Sequence, residues 1–104
     1  AAITDIIEYS KGENSCQTAT LKFMDGDYQA RPAEYHAANP AEADLHKHTV
    51  LLQGTADRIV PPEQAQLSGI KSVEIESAGH FDWVHPGTEA FQLLRSTLEG
   101  MFQQ

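Results

Sequence analysis

A short apolar run, Thr49-Val-Leu-Leu-Gln53, is the feature that most constrains the fold of this chain. It lies between a charged segment and Gly54. Apolar residues at consecutive positions, without alternation, indicate a strand covered on both faces, as in a parallel sheet with helices on each side. The run therefore predicts an α/β fold.

A second strand is predicted in Lys71-Ser-Val-Glu-Ile-Glu76, where Val73 and Ile75 alternate with polar residues. That alternation is typical of a strand with one solvated face at the edge of a sheet. A Pro-Pro pair between the two runs predicts a short helix of two turns over residues 61–67. The order strand, helix, strand, helix implies right-handed crossovers and a small sheet of two to three parallel strands with packed helices.

The remaining segments predict helices. Capping residues at 4 and 5 precede a short helix that runs through Tyr9, and two further helices are expected over residues 15–24 and 32–38. The last segment begins at Pro86-Gly-Thr88 and has apolar residues at spacings of three and four, which predicts one helix with a single apolar stripe. The stripe consists of Ala90, Phe91, Leu94, Leu98, Met101 and Phe102.

Length and charge bound the class of protein. The 104 residues suffice for one domain, so residues 1–104 are interpreted as a single domain. Seven basic against fifteen acidic residues give a net charge of −8, which argues against nucleic acid and against an anionic membrane surface as partners. Neither an apolar run of roughly 18 residues nor a basic and then apolar leader occurs. A soluble protein is expected, with the cytoplasm as the default compartment.

A carboxylate and a histidine follow the two predicted strands. Asp57 comes just after the first and His80 just after the second. Because carboxyl ends of parallel strands meet at one rim of the sheet, both side chains are predicted at that rim, where α/β proteins build their sites. An imidazole needs a partner on one ring nitrogen to act as a base through the other. Asp57 is therefore predicted to orient His80, with Gly54 and Gly79 permitting tight turns beside them.

Other interpretations of these residues remain open. Asp57 can be only a turn former and His80 only a loop residue. His46-Lys-His48 can offer two alternate imidazoles to a metal ion, but no Cys or carboxylate cluster completes a ligand set, and no cofactor is expected. His85 competes with His80 for the catalytic assignment but lacks the preceding glycine.

Two turns of the chain resemble a known superfamily. The segments Gly54-Thr-Ala-Asp57-Arg-Ile-Val-Pro-Pro-Glu-Gln64 and Ala78-Gly-His80-Phe-Asp-Trp83 are similar to the acid-bearing and histidine-bearing turns of α/β-hydrolases, the serine esterases, lipases and related peptidases. Residues 32–40 resemble the tyrosine- and proline-containing stretch that precedes the acid strand in many of these enzymes. The resemblance implies a partial α/β-hydrolase fold and an ester, thioester or amide hydrolase lineage, with Asp57 as triad acid and His80 as triad base.

The sequence departs from that superfamily at the nucleophile. Its members place a serine in a Gly-x-Ser-x-Gly elbow ahead of the acid and the histidine. None of the six serines, nor Cys16, has such flanking glycines. The resemblance therefore implies the C-terminal part of a hydrolase, beginning at the end of its sixth strand, which is inactive alone and acts on a small ester or amide only when completed. The alternative is a non-catalytic truncated module that forms a homo-oligomer or pairs with a separate N-terminal half.

Overall fold

The computed structural model describes residues 1–103, which divide into two compact units. Residues 3–45 form the first, called here the helical unit, and the residues from 46 onward form the second, called the sheet unit, together with residues 1 and 2. The interpretation of the chain as a single domain stays a prediction. No helix within residues 1–103 combines the length and the apolar character needed to cross a membrane.

The helical unit contains three helices: α1 (Ile6–Tyr9), α2 (Ser15–Phe23) and α3 (Pro32–Ala37), followed by a 3₁₀ turn at Pro40–Glu42. Side-chain caps explain where the first two begin. Asp5 accepts a hydrogen bond from the Glu8 amide, and Asn14 and Gln17 form a reciprocal capping box at the start of α2. All three helices are confirmed where the sequence predicts them.

The sheet unit is built on two parallel strands, β1 (Val50–Gly54) and β2 (Lys71–Ile75). They pair in register from Val50 opposite Lys71 to Gly54 opposite Ile75. In β2 the exposed and half-buried residues alternate, as expected for an edge strand. Helices together with a parallel sheet confirm the α/β class, and the described residues contain two strands, the lower of the predicted numbers.

Helix α4 (Glu89–Phe102) supplies the helical layer of the sheet unit. Thr88 caps the N-terminus of α4, because its hydroxyl accepts a hydrogen bond from the Phe91 amide. The core of the unit joins one side of α4 to the sheet and to the turns that follow β2. It comprises Ala78, Trp83 and Ala90, with Leu52, Ile75, Leu93 and Leu94 packed against them.

The helix predicted over residues 61–67 is shorter and of another type. The structure has a 3₁₀ helix at Pro62–Ala65, with the Gln64 amide bonded to Pro61 O and the Gln66 amide to Glu63 O. Two consecutive prolines lack amide hydrogens, and Gln66 already adopts an extended ψ of 87°. The predicted short helix is therefore present, but it ends before a second turn can close because the segment bends back after Ala65.

Candidate functional site

The turns after β1 and β2 are hydrogen-bonded to each other. The amide of Thr55 donates to Ile75 O and that of Ala56 to Ala78 O, both at 3.0 Å. The Ser77 amide donates to the Thr55 hydroxyl at 2.8 Å. These bonds hold the two strand ends side by side, and so they fix the segments that carry Asp57 and His80.

The Asp57 side chain is buried, and both of its carboxylate oxygens take part in hydrogen bonds. Its side chain is 0% exposed, and its Oδ1 accepts from the amides of Ile59 and Val60, each at 2.9 Å. Burial alone would raise the pKa of this carboxyl. The Val60 amide, the His80 ring and the Ile59 amide outweigh that effect, so the pKa of Asp57 lies below its ordinary value. The group is therefore a carboxylate at neutral pH.

His80 lies against this carboxylate, with Nδ1 at 2.9 Å from Asp57 Oδ2. Since an ionised carboxylate can only accept, Nδ1 carries the hydrogen and Nε2 of the neutral ring keeps a lone pair. The side chain is 25% exposed, and the Phe81 ring contacts it edge to face at 4.9 Å between centroids. Within residues 1–103 no hydrogen bond is formed by Nε2, so this atom is available to a proton donor that approaches from solvent.

The structure adds Gln53, which the sequence analysis did not assign to the site. Its side chain is completely buried, and its Nε2 lies 3.1 Å from Gly54 O, 3.2 Å from Val60 O and 3.4 Å from Asp57 Oδ2. The amide thus joins the end of β1 to the loop that encloses the carboxylate. A signal was present in the sequence, because Gln53 is a polar residue two positions after Leu51 and so on the same face of a buried strand.

Replacing Gln53 with leucine is expected to lower the free energy of unfolding by about 1–2 kcal/mol while the volume is kept, because Val60 O loses its donor and Gly54 O keeps only the Asp57 amide. Urea unfolding followed by circular dichroism measures the change. Gln66→Leu is the matched control, since Gln66 is exposed and surface substitutions change stability by about 0.5 kcal/mol or less. Equal effects of the two substitutions would contradict the bridging role.

Only one of the two glycines beside the site is required by the structure. A Cβ on Gly54 would stand 2.1 Å from Ala78 O, so the close approach of the second turn excludes any side chain there. A Cβ on Gly79 would meet only Asp82 Oδ2, at an ordinary 3.9 Å, and Gly79 does not have a positive φ. Neither the contacts nor the backbone angle at position 79 requires glycine, whereas position 54 requires it because of the contact with Ala78 O.

The other candidate histidines lie elsewhere. His85 is exposed in the turn before α4, and Asp57 bonds to His80 instead. The rings of His46 and His48 are 5.4 Å apart, and Nδ1 of His46 accepts from the His48 amide. In the part of the chain that the structure describes, no three His, Cys, Asp or Glu side chains are grouped so that they could hold a metal ion.

No nucleophile accompanies the pair in the described part of the sheet unit. None of the serine hydroxyls between residues 46 and 103 hydrogen-bonds to His80. Ser77 has a positive φ of 67° two residues after the end of β2, but its side chain is exposed and its amide bonds to the Thr55 hydroxyl. The described residues thus provide a carboxylate bonded to an imidazole, without a serine hydroxyl of the sheet unit bonded to that ring.

The Asp57 and His80 pair has one clear chemical capacity. The buried carboxylate fixes the tautomer of the ring and would stabilise an imidazolium formed when Nε2 takes a proton. Comparison of the chain with family models, with curated proteins and with solved structures finds no match.

Proposed function

We propose that the sheet unit carries the acid and histidine of a hydrolase that cleaves ester, thioester or amide bonds. Asp57 holds His80, and Nε2 of His80 takes the proton of a nucleophile that lies outside residues 1–103. The observation that carries the proposal is the 2.9 Å contact between Nδ1 and the buried carboxylate at the ends of two parallel strands. The hydrolase class is supported by the resemblance of both turns to those of α/β-hydrolases.

The protonation states suit this role. The pKa of Asp57 is lowered chiefly by the Val60 amide and the His80 ring, acting against burial, so the carboxylate does not compete with the imidazole for the proton. The imidazolium that forms during proton transfer lies beside a buried negative charge, where the attraction is stronger than in water. The His80 side chain is partly exposed, and Nε2 is not among the buried atoms that lack a partner, as a base that meets a substrate requires.

Residues 1–104 alone are expected to leave ester substrates intact through this mechanism. Proton acceptance contributes only part of a hydrolase's rate, and the attacking group and the donors to the oxyanion supply much of the remainder. A nucleophile contributed by another segment or another chain would complete the arrangement.

Labelling with a fluorophosphonate tests the proposal. No serine within residues 1–104 should be labelled, whereas the product of the whole reading frame, including any codons upstream of Ala1, should be labelled at a serine. His80→Gln should abolish that labelling, and His85→Gln, the matched control on an exposed histidine, should preserve it. Stoichiometric labelling of a serine within residues 1–104 would refute the assignment, and so would labelling of the longer product that does not depend on His80.

A second candidate, a non-catalytic module that assembles with a second copy, is favoured by the outer side of α4. Leu98 and Phe102 are exposed there, Phe102 by 86%, next to an ion pair between Arg95 and Glu99 at 3.0 Å. An antiparallel copy would place Arg95 opposite Glu99 and cover both apolar residues. Light scattering over a dilution series decides: a dimer abolished by Leu98→Lys supports assembly, and a monomer at every concentration opposes it.

A further inference from the structure

A second carboxylate and histidine pair lies in the helical unit, and there it is joined to a phenol. Nδ1 of His36 lies 2.9 and 2.8 Å from the two carboxylate oxygens of Glu42. Nε2 of the same ring lies 2.8 Å from the hydroxyl of Tyr28. Carboxylate, imidazole and hydroxyl thus form an unbroken chain of short hydrogen bonds, entirely within residues 3–45.

The Glu42 carboxylate, at one end of this series of hydrogen bonds, is held in place. The buried Asn39 donates from Nδ2 to Glu42 Oε2 at 2.9 Å, while its Oδ1 accepts from the Ile6 amide at the start of α1. The Asn39 and His36 hydrogen bonds lower the pKa of Glu42, so this group is ionised at neutral pH. In the neutral ring, an ionised acceptor assigns the hydrogen to Nδ1 of His36, and Nε2 therefore accepts a hydrogen bond from the Tyr28 hydroxyl.

The Tyr28 phenol, at the other end of the series of hydrogen bonds, is also held in place. The Tyr28 ring packs edge to face against His36, with centroids 5.4 Å apart, and against Tyr35, with centroids 6.0 Å apart. Tyr35 is itself buried and anchored by its hydroxyl to Gly26 O at 2.8 Å. Tyr28 remains partly exposed, and its hydrogen bond to His36 lies at an exposed position.

From this geometry we propose that Tyr28 is a nucleophile that accepts an acyl group from activated acyl donors, the class of aryl esters and thioesters. The phenol oxygen attacks the carbonyl carbon while its proton passes to Nε2 of His36. The bond from the carbonyl carbon to the leaving group then breaks, and the leaving group takes that proton. The products are a tyrosyl ester and a free phenol or thiol, with no oxidant or reductant involved.

The surroundings favour an uncharged donor. Asp25, near Tyr28 along the chain, is paired with Arg31, but the whole chain carries a net charge of −8. A strongly anionic phosphoryl donor would be repelled by this net charge, whereas a neutral acyl donor would not. Glu42 acts as a positioning residue, because its carboxylate holds the His36 ring through Nδ1. The site is independent of Asp57 and His80, and it does not rest on the function proposed for them.

Reaction of the intact chain with p-nitrophenyl acetate near neutral pH tests the proposal, with acetylated peptides quantified by mass spectrometry. Tyr28 should be acetylated at least about tenfold faster than N-acetyltyrosine amide, because general base assistance contributes about 10²–10⁴-fold where it is fully developed. The buried Tyr9 and Tyr35 serve as internal controls. Hydroxylamine should remove the acetyl group from tyrosine and leave acetylated lysines unchanged.

Variants then separate base assistance from simple exposure. His36→Gln should reduce the Tyr28 rate to that of the free amide, His36→Gly should regain rate when imidazole is added, and Glu42→Gln should shift the pH at which the rate is half maximal. His85→Gln, on an exposed histidine of the sheet unit, should change nothing. The proposal fails if wild-type Tyr28 reacts no faster than the free amide, or if its rate is indifferent to His36.

Discussion

Replacing Gly54 with alanine is expected to lower the free energy of unfolding of the sheet unit by about 3 kcal/mol or more. The new methyl group would stand 2.1 Å from Ala78 O and 2.7 Å from the carbonyl carbon. Backbone atoms cannot rotate away as the end of a side chain can, so the two turns must separate. That movement would also strain the bond from the Ala56 amide to Ala78 O. Urea unfolding monitored by circular dichroism gives the magnitude.

Gly79→Ala is the matched control, because the two glycines lie beside the same site. A Cβ at Gly79 makes one ordinary contact at 3.9 Å, so the free energy of unfolding should stay within about 0.5 kcal/mol of the wild type. The Gly54 variant should also weaken the contact between Asp57 and His80, seen as altered imidazole signals in NMR spectra. Equal tolerance of both alanines would show that the turns do not approach as closely as described.

The positions of the regular elements could be predicted from the sequence because their signals are local. The strand predicted from the apolar run at residues 49–53 is found as β1 at Val50–Gly54. The helix predicted from the apolar residues of the last segment is found as α4 at Glu89–Phe102. The proximity of Asp57 and His80 could be predicted as well, since it depends only on two parallel strands ending at one rim. The catalytic roles of this pair stay a prediction.

The features that sequence analysis missed depend on contacts between distant residues. Gln53 belongs to the site because its amide reaches Val60 O across a turn, which no periodicity records. Gly54 and Gly79 look alike in sequence, and only the position of Ala78 O separates them. The hydrogen bonds that link Glu42, His36 and Tyr28 join loops and short helices, where the residues in contact follow no regular spacing in the sequence.

Removing the Asp57 carboxylate is the second change with a large expected effect. Asp57→Ala should lower the free energy of unfolding by about 3 kcal/mol, because the amides of Ile59 and Val60 lose their acceptor and His80 loses its partner. Asp57→Asn keeps an acceptor oxygen for the two amides, so its effect should be smaller. The loss of stability in Asp57→Asn measures the contribution of the charge. The further loss in Asp57→Ala measures the contribution of the hydrogen bonds to the two turn amides, and urea unfolding at neutral pH gives both values.

The pH dependence of this effect has a defined sign. The pKa of Asp57 is lower in the folded protein than in the unfolded chain, where it is near the ordinary value of about 3.9. The carboxylate's contribution is therefore fully present above that ordinary value and is lost as the pH falls through the folded pKa. The stability of the wild type should thus approach that of Asp57→Asn on acidification.

Glu76→Gln is the matched control for the charge, since Glu76 is an exposed carboxylate at the end of the same sheet. Its difference in stability from the wild type should be small at every pH, because an exposed carboxylate is screened by solvent. If the gap between the wild type and Asp57→Asn were equally small and insensitive to pH, the buried carboxylate would not be the group that holds His80. The assignment of Asp57 as the orienting acid would then fail together with the function proposed for the pair.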